Sequence, residues 1–226
     1  MKILILSLLF IQSSFATIYL AAYDQNSKSW GLAYSSSGSN FRISLEKDKG
    51  IMGFGSYGTC SGLRVNDLFK LDLSAKEVTQ RIYKWCQTKN WEKFRMTAVT
   101  SDGVTSSLIA KLGCHSVNKN CGEKISENFV ITGGGLHKRV LKKTYQFYKN
   151  IEKTNEPLEC KLLKTLRHIY KVGGEKLQFV GAAVLVDSLE RSEASKFFIR
   201  RDKTKTESYL LQHLRDQMYV SGIKCD

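Results

Sequence analysis

Hairpins of predicted β-strands alternate with pairs of predicted helices along this chain, and this order restricts the fold more than any other feature. Short β-branched and aromatic runs predict strands, and apolar residues spaced three and four apart predict helices. Strands are predicted at residues 17–23, 30–35, 50–55, 94–100, 104–110, 128–132, 179–186 and 196–200. Helices are predicted at 63–71, 75–87, 136–153, 158–172 and 207–219. Because sheets and helices bury their apolar faces in layers, we expect an α+β fold with two packed sheets and helices on both outer faces.

The second predicted helix carries the clearest local signals. Ser74 precedes it and Glu77 follows three residues later, which is the spacing of a capping box. Val78, Ile82 and Trp85 form its predicted apolar stripe.

The first 16 residues have the pattern of a secretion signal. Lys2 supplies a positive charge, and residues 3–11 form an apolar run interrupted only by Ser7. Ser14 and Ala16 are small residues at the −3 and −1 positions of a cleavage site. We therefore predict a signal peptide at 1–16, a single domain at 17–226, and a secreted or periplasmic protein. The alternative is a buried N-terminal strand or helix.

Composition is that of an ordinary globular protein, with a strong basic excess. The chain has 226 residues, one proline and a formal net charge of +14. This charge favours an anionic partner such as an envelope surface, although lysines that simply solvate helices explain it better. The basic residues form no motif of a nucleic-acid module, so no specific nucleic-acid partner is expected.

Six cysteines are consistent with an exported, disulfide-bonded chain. Six cysteines allow 15 pairings, so connectivity is open. Cys114 and Cys121 flank a short polar segment and are the most plausible pair. The sequence has no CxxC spacing and no histidine cluster, which disfavours a zinc site, and we expect neither metal nor cofactor.

Two glycine and serine patterns that mark catalytic or nucleotide-binding sites in other proteins find no match in this sequence. No GxSxG is present, which gives no support to an α/β-hydrolase. Gly133-Gly134-Gly135 lies between a strand and a helix, but it lacks the spacing of a nucleotide-binding loop. Tight packing between strand and helix explains these glycines better.

Thr17 is the remaining candidate for chemistry. Cleavage after Ala16 would place a hydroxyl and a free α-amino group on this one residue. An α-amino group has an ordinary pKa of about 7.7–8.0, so part of it is neutral near pH 7 and can accept the hydroxyl proton. The alternative is that Thr17 is only the residue after a signal cleavage site.

The segments Thr17–Asp24 and Trp30–Ser36 resemble the start of a bacterial family, domain of unknown function 1028, which is assigned to the N-terminal nucleophile (Ntn) hydrolases. Its members typically start Thr-Phe-Ser-Ile-Val-Ala-x-Asp. The similarity continues, in the same order, over most of the chain. Further matching segments are Lys49–Gly55, Leu71–Ala75, Glu127–Gly133, Gly173–Glu175 and Ala182–Val186.

The resemblance implies a four-layer αββα sandwich and a set of site residues. Thr17 would be the nucleophile, with its own α-amino group as base. Lys49 corresponds to a lysine that tunes the nucleophile in related proteins. Ser36 stands where the family has the serine of Ser-Lys, and Ser37 replaces that lysine. Asn128 would support the site.

The resemblance also suggests where the oxyanion would bind. Backbone N–H groups near Gly53 and Gly55, or in the Ser35–Gly38 loop, would hold it. The expected function is an exported peptidase or amidase acting on a small linear amide. The alternative is a non-catalytic αββα module that binds an anionic envelope component. A nucleic-acid-degrading enzyme has only the charge in its favour, and the oligomeric state is open.

Overall fold

The protein is a four-layer sandwich with two antiparallel sheets in the middle and helices on both outer faces. The computed structural model describes residues 17–36, 41–56, 65–88, 94–110, 114, 120–174, 181–200 and 207–225. The strands are β1 (Thr17–Asp24), β2 (Ser29–Ser36), β3 (Phe41–Glu46), β4 (Gly50–Ser56), β5 (Phe94–Thr100), β6 (Thr105–Ile109), β7 (Gly122–Ile125), β8 (Phe129–Gly134), β9 (Gly181–Ser188) and β10 (Ser195–Arg200). The helices are α1 (Val65–Phe69), α2 (Ala75–Thr88), α3 (Val140–Ile151), α4 (Leu158–Lys171) and α5 (Glu207–Val220).

The larger sheet has six strands in the order β10-β9-β2-β1-β8-β7, so β1 is one of its two central strands. The smaller sheet has the order β3-β4-β5-β6. Each strand pairs antiparallel with its neighbours. Because alternate residues of a strand point to opposite faces, each sheet contributes to two separate cores.

Three apolar clusters hold the four layers together. The first lies between the six-stranded sheet and helices α3, α4 and α5, and includes Leu20 and Leu162. The second lies between the four-stranded sheet and helices α1 and α2, and includes Phe94 and Ile82. The third fills the space between the two sheets. Its residues are Tyr19, Ala21, Trp30, Leu32, Tyr34, Ile51, Val99, Val130, Ala183 and Leu185.

The predicted order of elements is confirmed, with two strands added. The strands β3 and β7 were not predicted. β3 alternates apolar with polar residues, which is itself a strand pattern, so the prediction missed an available signal. β7 has only four residues, two of them charged. The predicted helix start at Leu136 is wrong. Gly135 and Arg139 have positive φ angles of 71° and 70°, so the chain turns there and α3 begins at Val140.

The capping box that begins α2 is confirmed, whereas part of its apolar stripe is not. The Ser74 backbone N–H and hydroxyl both donate to Glu77 Oε2, at 3.0 and 2.8 Å. These hydrogen bonds lower the pKa of Glu77. Val78 and Ile82 are buried, but Trp85 is 40% exposed, because Cys86 continues the buried face one position later.

Disulfides connect distant and local parts of the described chain. The predicted pair Cys114–Cys121 is present, and a second disulfide joins Cys160 on α4 to Cys225. Cys86 is also disulfide-bonded. Such bonds are typical of an oxidising compartment. The predicted signal at 1–16 lies outside the described residues, among which no helix is long and apolar enough to cross a membrane.

Candidate functional site

Thr17 lies at the first position of β1, with a strand on each side. It pairs with Ser36 of β2 and with Gly134 of β8. Tyr19, two residues later, belongs to the core between the sheets, so the Thr17 side chain points to the same inter-sheet space. The residue is only 6% exposed. The fold therefore places this hydroxyl at one end of the sandwich, between the two sheets.

Ser36 contacts Thr17 directly. The two side-chain oxygens, Thr17 Oγ1 and Ser36 Oγ, are 3.0 Å apart, and either hydroxyl can donate. The contact follows from the β1–β2 hairpin, whose register places residues 17 and 36 opposite each other on the same face of the sheet. Ser36 is the one supporting residue, among those predicted, whose side chain the structure brings to Thr17. Ser37 lies outside the described residues.

Arg95 of β5 reaches the site from the other sheet and was not predicted. Gly134 has no side chain, and a Cβ built on it would lie only 1.5 Å from Arg95 Nη1. Directly paired residues of antiparallel strands have Cβ positions about 4.5–5.5 Å apart. The guanidinium thus occupies the position that a side chain of residue 134, opposite Thr17, would take. Glycine is required at 134 because any side chain would displace this group.

The Cys114–Cys121 disulfide lies next to Gly134 and the Arg95 guanidinium. Cys121 Sγ lies 3.0 Å from the Cβ position of Gly134 and accepts a hydrogen bond from Arg95 Nη1 at 3.7 Å. The Cys114–Cys121 bond thereby ties the segment before β7 to the guanidinium. A single arginine in the otherwise apolar and hydroxyl-bearing strand Phe94–Thr100 was the sequence signal for this site.

The backbone of Gly53 and Gly55, the predicted oxyanion donors, packs against the Tyr19 side chain. A Cβ on Gly53 would be 2.3 Å from the Tyr19 ring, and one on Gly55 would be 2.9 Å from its hydroxyl oxygen. Gly55 also pairs with Arg95, which places it at the Thr17 end of the sandwich. The side chains of Tyr19 and Leu32, both from the six-stranded sheet, thus cover Gly53. The alternative donors in the Ser35–Gly38 loop fall partly outside the described residues.

Two hydroxyls between the sheets have no hydrogen-bond partner among the described residues. Thr132 Oγ1 belongs to β8, two residues before Gly134, and Thr97 Oγ1 belongs to β5, two residues after Arg95. Both side chains are fully buried. Residues two apart on a strand share a face, so both hydroxyls point into the space between the sheets, as the Arg95 side chain does. Buried polar groups normally have partners, which makes this pair notable.

Lys49 is not brought to Thr17. Its ammonium group pairs with Asp72 at the surface. The neighbouring Asp48 N–H donates to Asp187 Oδ2 at 2.9 Å, and Asp187 pairs with Trp30, near the other end of β1. At about 3.3 Å per residue, that end lies roughly 20 Å from Thr17.

Asn128 is also placed at the far end of β1. Its Oδ1 accepts a hydrogen bond from Gln25 Nε2 at 3.0 Å, and its carbonyl accepts from the Tyr23 N–H at 2.8 Å. Gln25 lies in the β1–β2 turn, and Tyr23 lies near the end of β1 just before it. Asn128 therefore supports this turn in the structure.

Buried charges concentrate at this same far end. Lys161 Nζ lies 2.5 Å from Asp24 Oδ2 and donates to the Glu152 carbonyl at 2.8 Å, and Lys161 is only 1% exposed. The other Asp24 oxygen accepts from the Asn26 N–H at 3.0 Å. Burial, together with the Asp24 and Glu152 carboxylates, raises the pKa of Tyr148. These contacts fix helix α4 to the end of β1.

A separate groove lies on the outer face, between α4 and α5. It encloses about 370 Å³ and combines three cations with an aromatic and two further side chains. Its lining residues are Arg167, Tyr170, Lys171, Leu211, Gln212 and Arg215. Burial and the nearby positive Arg215 lower the pKa of Arg167. The lining of this groove thus includes three basic side chains.

No group of three or more potential metal ligands is found in the described part of the chain.

Neither a family model nor a curated relative matches the sequence. Among solved structures, the chain is similar to protein SPO2555 from Silicibacter pomeroyi, whose crystal structure is described with the family-model DUF1028. The TM-score is 0.70 at 14% identity, over 93% of this chain and 88% of that one. At this identity the likeness shows a shared fold: this chain folds as that DUF1028 protein does.

Proposed function

We propose that the protein is an exported amide hydrolase of the Ntn type, related to the DUF1028 family, with Thr17 as nucleophile and its α-amino group as base. The observation that carries this proposal is the position of Thr17. Its hydroxyl is held at the start of a central strand, 3.0 Å from the Ser36 hydroxyl and facing the space between the sheets.

The chemistry requires cleavage after Ala16, because only then is the amine free. The neutral amine takes the proton of the Thr17 hydroxyl while Oγ1 attacks the amide carbonyl carbon. The tetrahedral intermediate collapses, the C–N bond breaks, and the amine gives its proton to the leaving nitrogen. Water, deprotonated by the same amine, then attacks the acyl ester, which releases the acid and restores Thr17.

Two neighbours support these steps. Ser36 holds the Thr17 hydroxyl through their mutual hydrogen bond, which limits the rotation of the nucleophile. A nearby guanidinium disfavours the protonated amine and so increases the fraction that can act as a base. In this proposal Arg95 takes the electrostatic role that the family resemblance suggested for Lys49. Lys49 is not part of the proposed site because it pairs with Asp72 at the surface.

Covalent trapping tests this proposal. A β-lactone should acylate Thr17 of the mature protein, as located by peptide mass mapping. Thr17→Ser should retain the adduct and Thr17→Ala should lose it, while Thr105→Ala, on an edge strand, serves as a matched control that keeps it. An adduct on another residue, or equal labelling of Thr17→Ala, would contradict the mechanism.

The groove between α4 and α5 favours a second candidate function, a module that binds an anionic envelope component. Its three cations, Arg167, Lys171 and Arg215, converge on one cavity. Binding of an anionic glycan should weaken as salt rises and should be lost in Arg167→Gln/Arg215→Gln. A Lys142→Gln/Lys149→Gln control removes the same charge from α3. Retained binding in the groove variant would eliminate this candidate.

A further inference from the structure

We propose that Arg95, with the buried Thr97 and Thr132 hydroxyls beside it, forms a subsite for a substrate carboxylate. This inference rests on the proposed function, since it assigns the substrate class of that same site: amides that carry a carboxylate close to the scissile carbonyl.

Distance limits where the carboxylate can be. Arg95 Nη1 lies 1.5 Å from the Cβ position of Gly134, the residue paired with Thr17. A guanidinium binds a carboxylate at about 2.7–2.9 Å. The paired Cβ positions are about 5 Å apart. An acyl group on Thr17 therefore brings its carboxylate to Arg95 when about three bonds separate the carboxylate carbon from the acyl carbonyl carbon.

The identity of the cation also favours a carboxylate. Arginine presents several N–H donors in a planar fork, which matches the two oxygens of a carboxylate. One of these donors points to Cys121 Sγ at 3.7 Å, a weak acceptor. The disulfide and Gly134 therefore hold the guanidinium at a defined position beside the nucleophile.

The two buried hydroxyls are the independent sign of a ligand or bound water here. Thr97 follows Arg95 by two residues on β5, and Thr132 precedes Gly134 by two on β8. Neither hydroxyl has a partner within the described residues, and both are 0% exposed. An anion at Arg95 would bring acceptors, directly or through water, to a surface that has donors to offer.

Binding of succinamate tests the subsite separately from catalysis. Succinamate carries an amide and a carboxylate separated by two methylene groups, and succinamide is its neutral counterpart. Mature Thr17→Ala protein, which cannot be acylated, is titrated with each compound while the Arg95 Nε–H resonance is followed. Succinamate should shift this resonance and bind about 10–100-fold more tightly than succinamide.

Three variants in the same background decide the assignment. Arg95→Met should abolish the preference for succinamate, and Gly134→Ala should reduce it because the new Cβ displaces the guanidinium. Lys196→Met removes an exposed cation from β10 and should keep the preference. Equal affinity for both compounds, or a preference that survives Arg95→Met, overturns the inference even if Thr17 is acylated. Binding as expected without any acylation of Thr17 would retain the subsite and reject the hydrolase.

Discussion

The two ends of β1 differ in how their polar groups are matched. At the Asp24 end, buried charges meet opposite charges: Asp24 pairs with Lys161, and Asp187 pairs with Lys47 at 3.1 Å. At the Thr17 end, hydroxyls, glycines and one guanidinium gather between the sheets. The first arrangement fixes helices and turns to the sheet. The second gathers polar groups around the proposed nucleophile, as a reaction site requires.

Breaking the ion pair at the Asp24 end should have the largest effect on stability. Lys161→Met leaves the Asp24 carboxylate buried without its cation, at a cost of about 3–5 kcal/mol in the free energy of unfolding. Lys164→Met on the same helix removes a partly exposed pair with Glu156 and should cost about 0–1 kcal/mol. Urea denaturation measures both. A Thr17 acylation rate that falls in proportion to the loss of stability in Lys161→Met would show that the two ends of β1 do not act independently.

The two disulfides whose cysteines are both among the described residues should differ in the same way as the two ends of β1. Replacing Cys160 and Cys225 by serine opens a loop with a sequence separation of 65 and should cost about 4 kcal/mol, with the rate of Thr17 acylation unchanged. Replacing Cys114 and Cys121 opens a separation of only 7 and should cost about 2.5 kcal/mol.

The shorter disulfide should nevertheless have the larger effect on the site. Cys121 contacts the Arg95 guanidinium, so its loss should reduce succinamate binding. Thermal unfolding and the titration described above measure the two effects. An unchanged affinity in this variant would show that the disulfide does not hold Arg95.

Ser36→Ala should act mainly on chemistry. It removes the 3.0 Å contact with the Thr17 hydroxyl and should slow β-lactone acylation about tenfold, with a stability loss of about 1–2 kcal/mol. Ser29→Ala, on the same strand at the Asp24 end, is the matched control and should leave the acylation rate unchanged. Equal rates for wild type and Ser36→Ala would remove Ser36 from the mechanism.

The smallest expected effect is a pH dependence that comes from His168 on α4. Burial lowers the pKa of His168, and the positive charges of Lys143 and Lys171 lower it further. A hydrogen bond to the Lys143 backbone raises this pKa but does not offset the decrease. A depressed pKa means that the unfolded chain takes up the proton first as the pH falls. Stability is thus complete above about pH 6.5 and declines on acidification through the folded-state pKa. Denaturation at pH 7.5 and 5 should show a smaller decline for His168→Gln, and an identical decline would contradict this.

The sequence predicted the order of the elements and the β1–β2 hairpin, but neither the register of that hairpin nor the contacts between the sheets. The β1–β2 hairpin follows from two short strands around a polar turn, and its register brings Ser36 to Thr17. The Arg95–Gly134 contact joins residues of different sheets, so it depends on how the sheets stack.

Stacking also explains why Lys49 is remote. It precedes β4, and β4 begins over the Asp24 end of β1, so the two strands run in opposite directions across the sandwich. A position at the start of a strand thus gave no information about which end of the molecule it occupies. Arg95 could have been chosen from its unusual place in a buried strand, but not its partner.

The central claim is that Thr17 carries the free amine of the mature protein. N-terminal sequencing of the mature protein tests it most directly. The account predicts a first residue of Thr17, in the sequence Thr-Ile-Tyr-Leu-Ala. Any other first residue would leave the hydroxyl without its base and contradict the proposed mechanism.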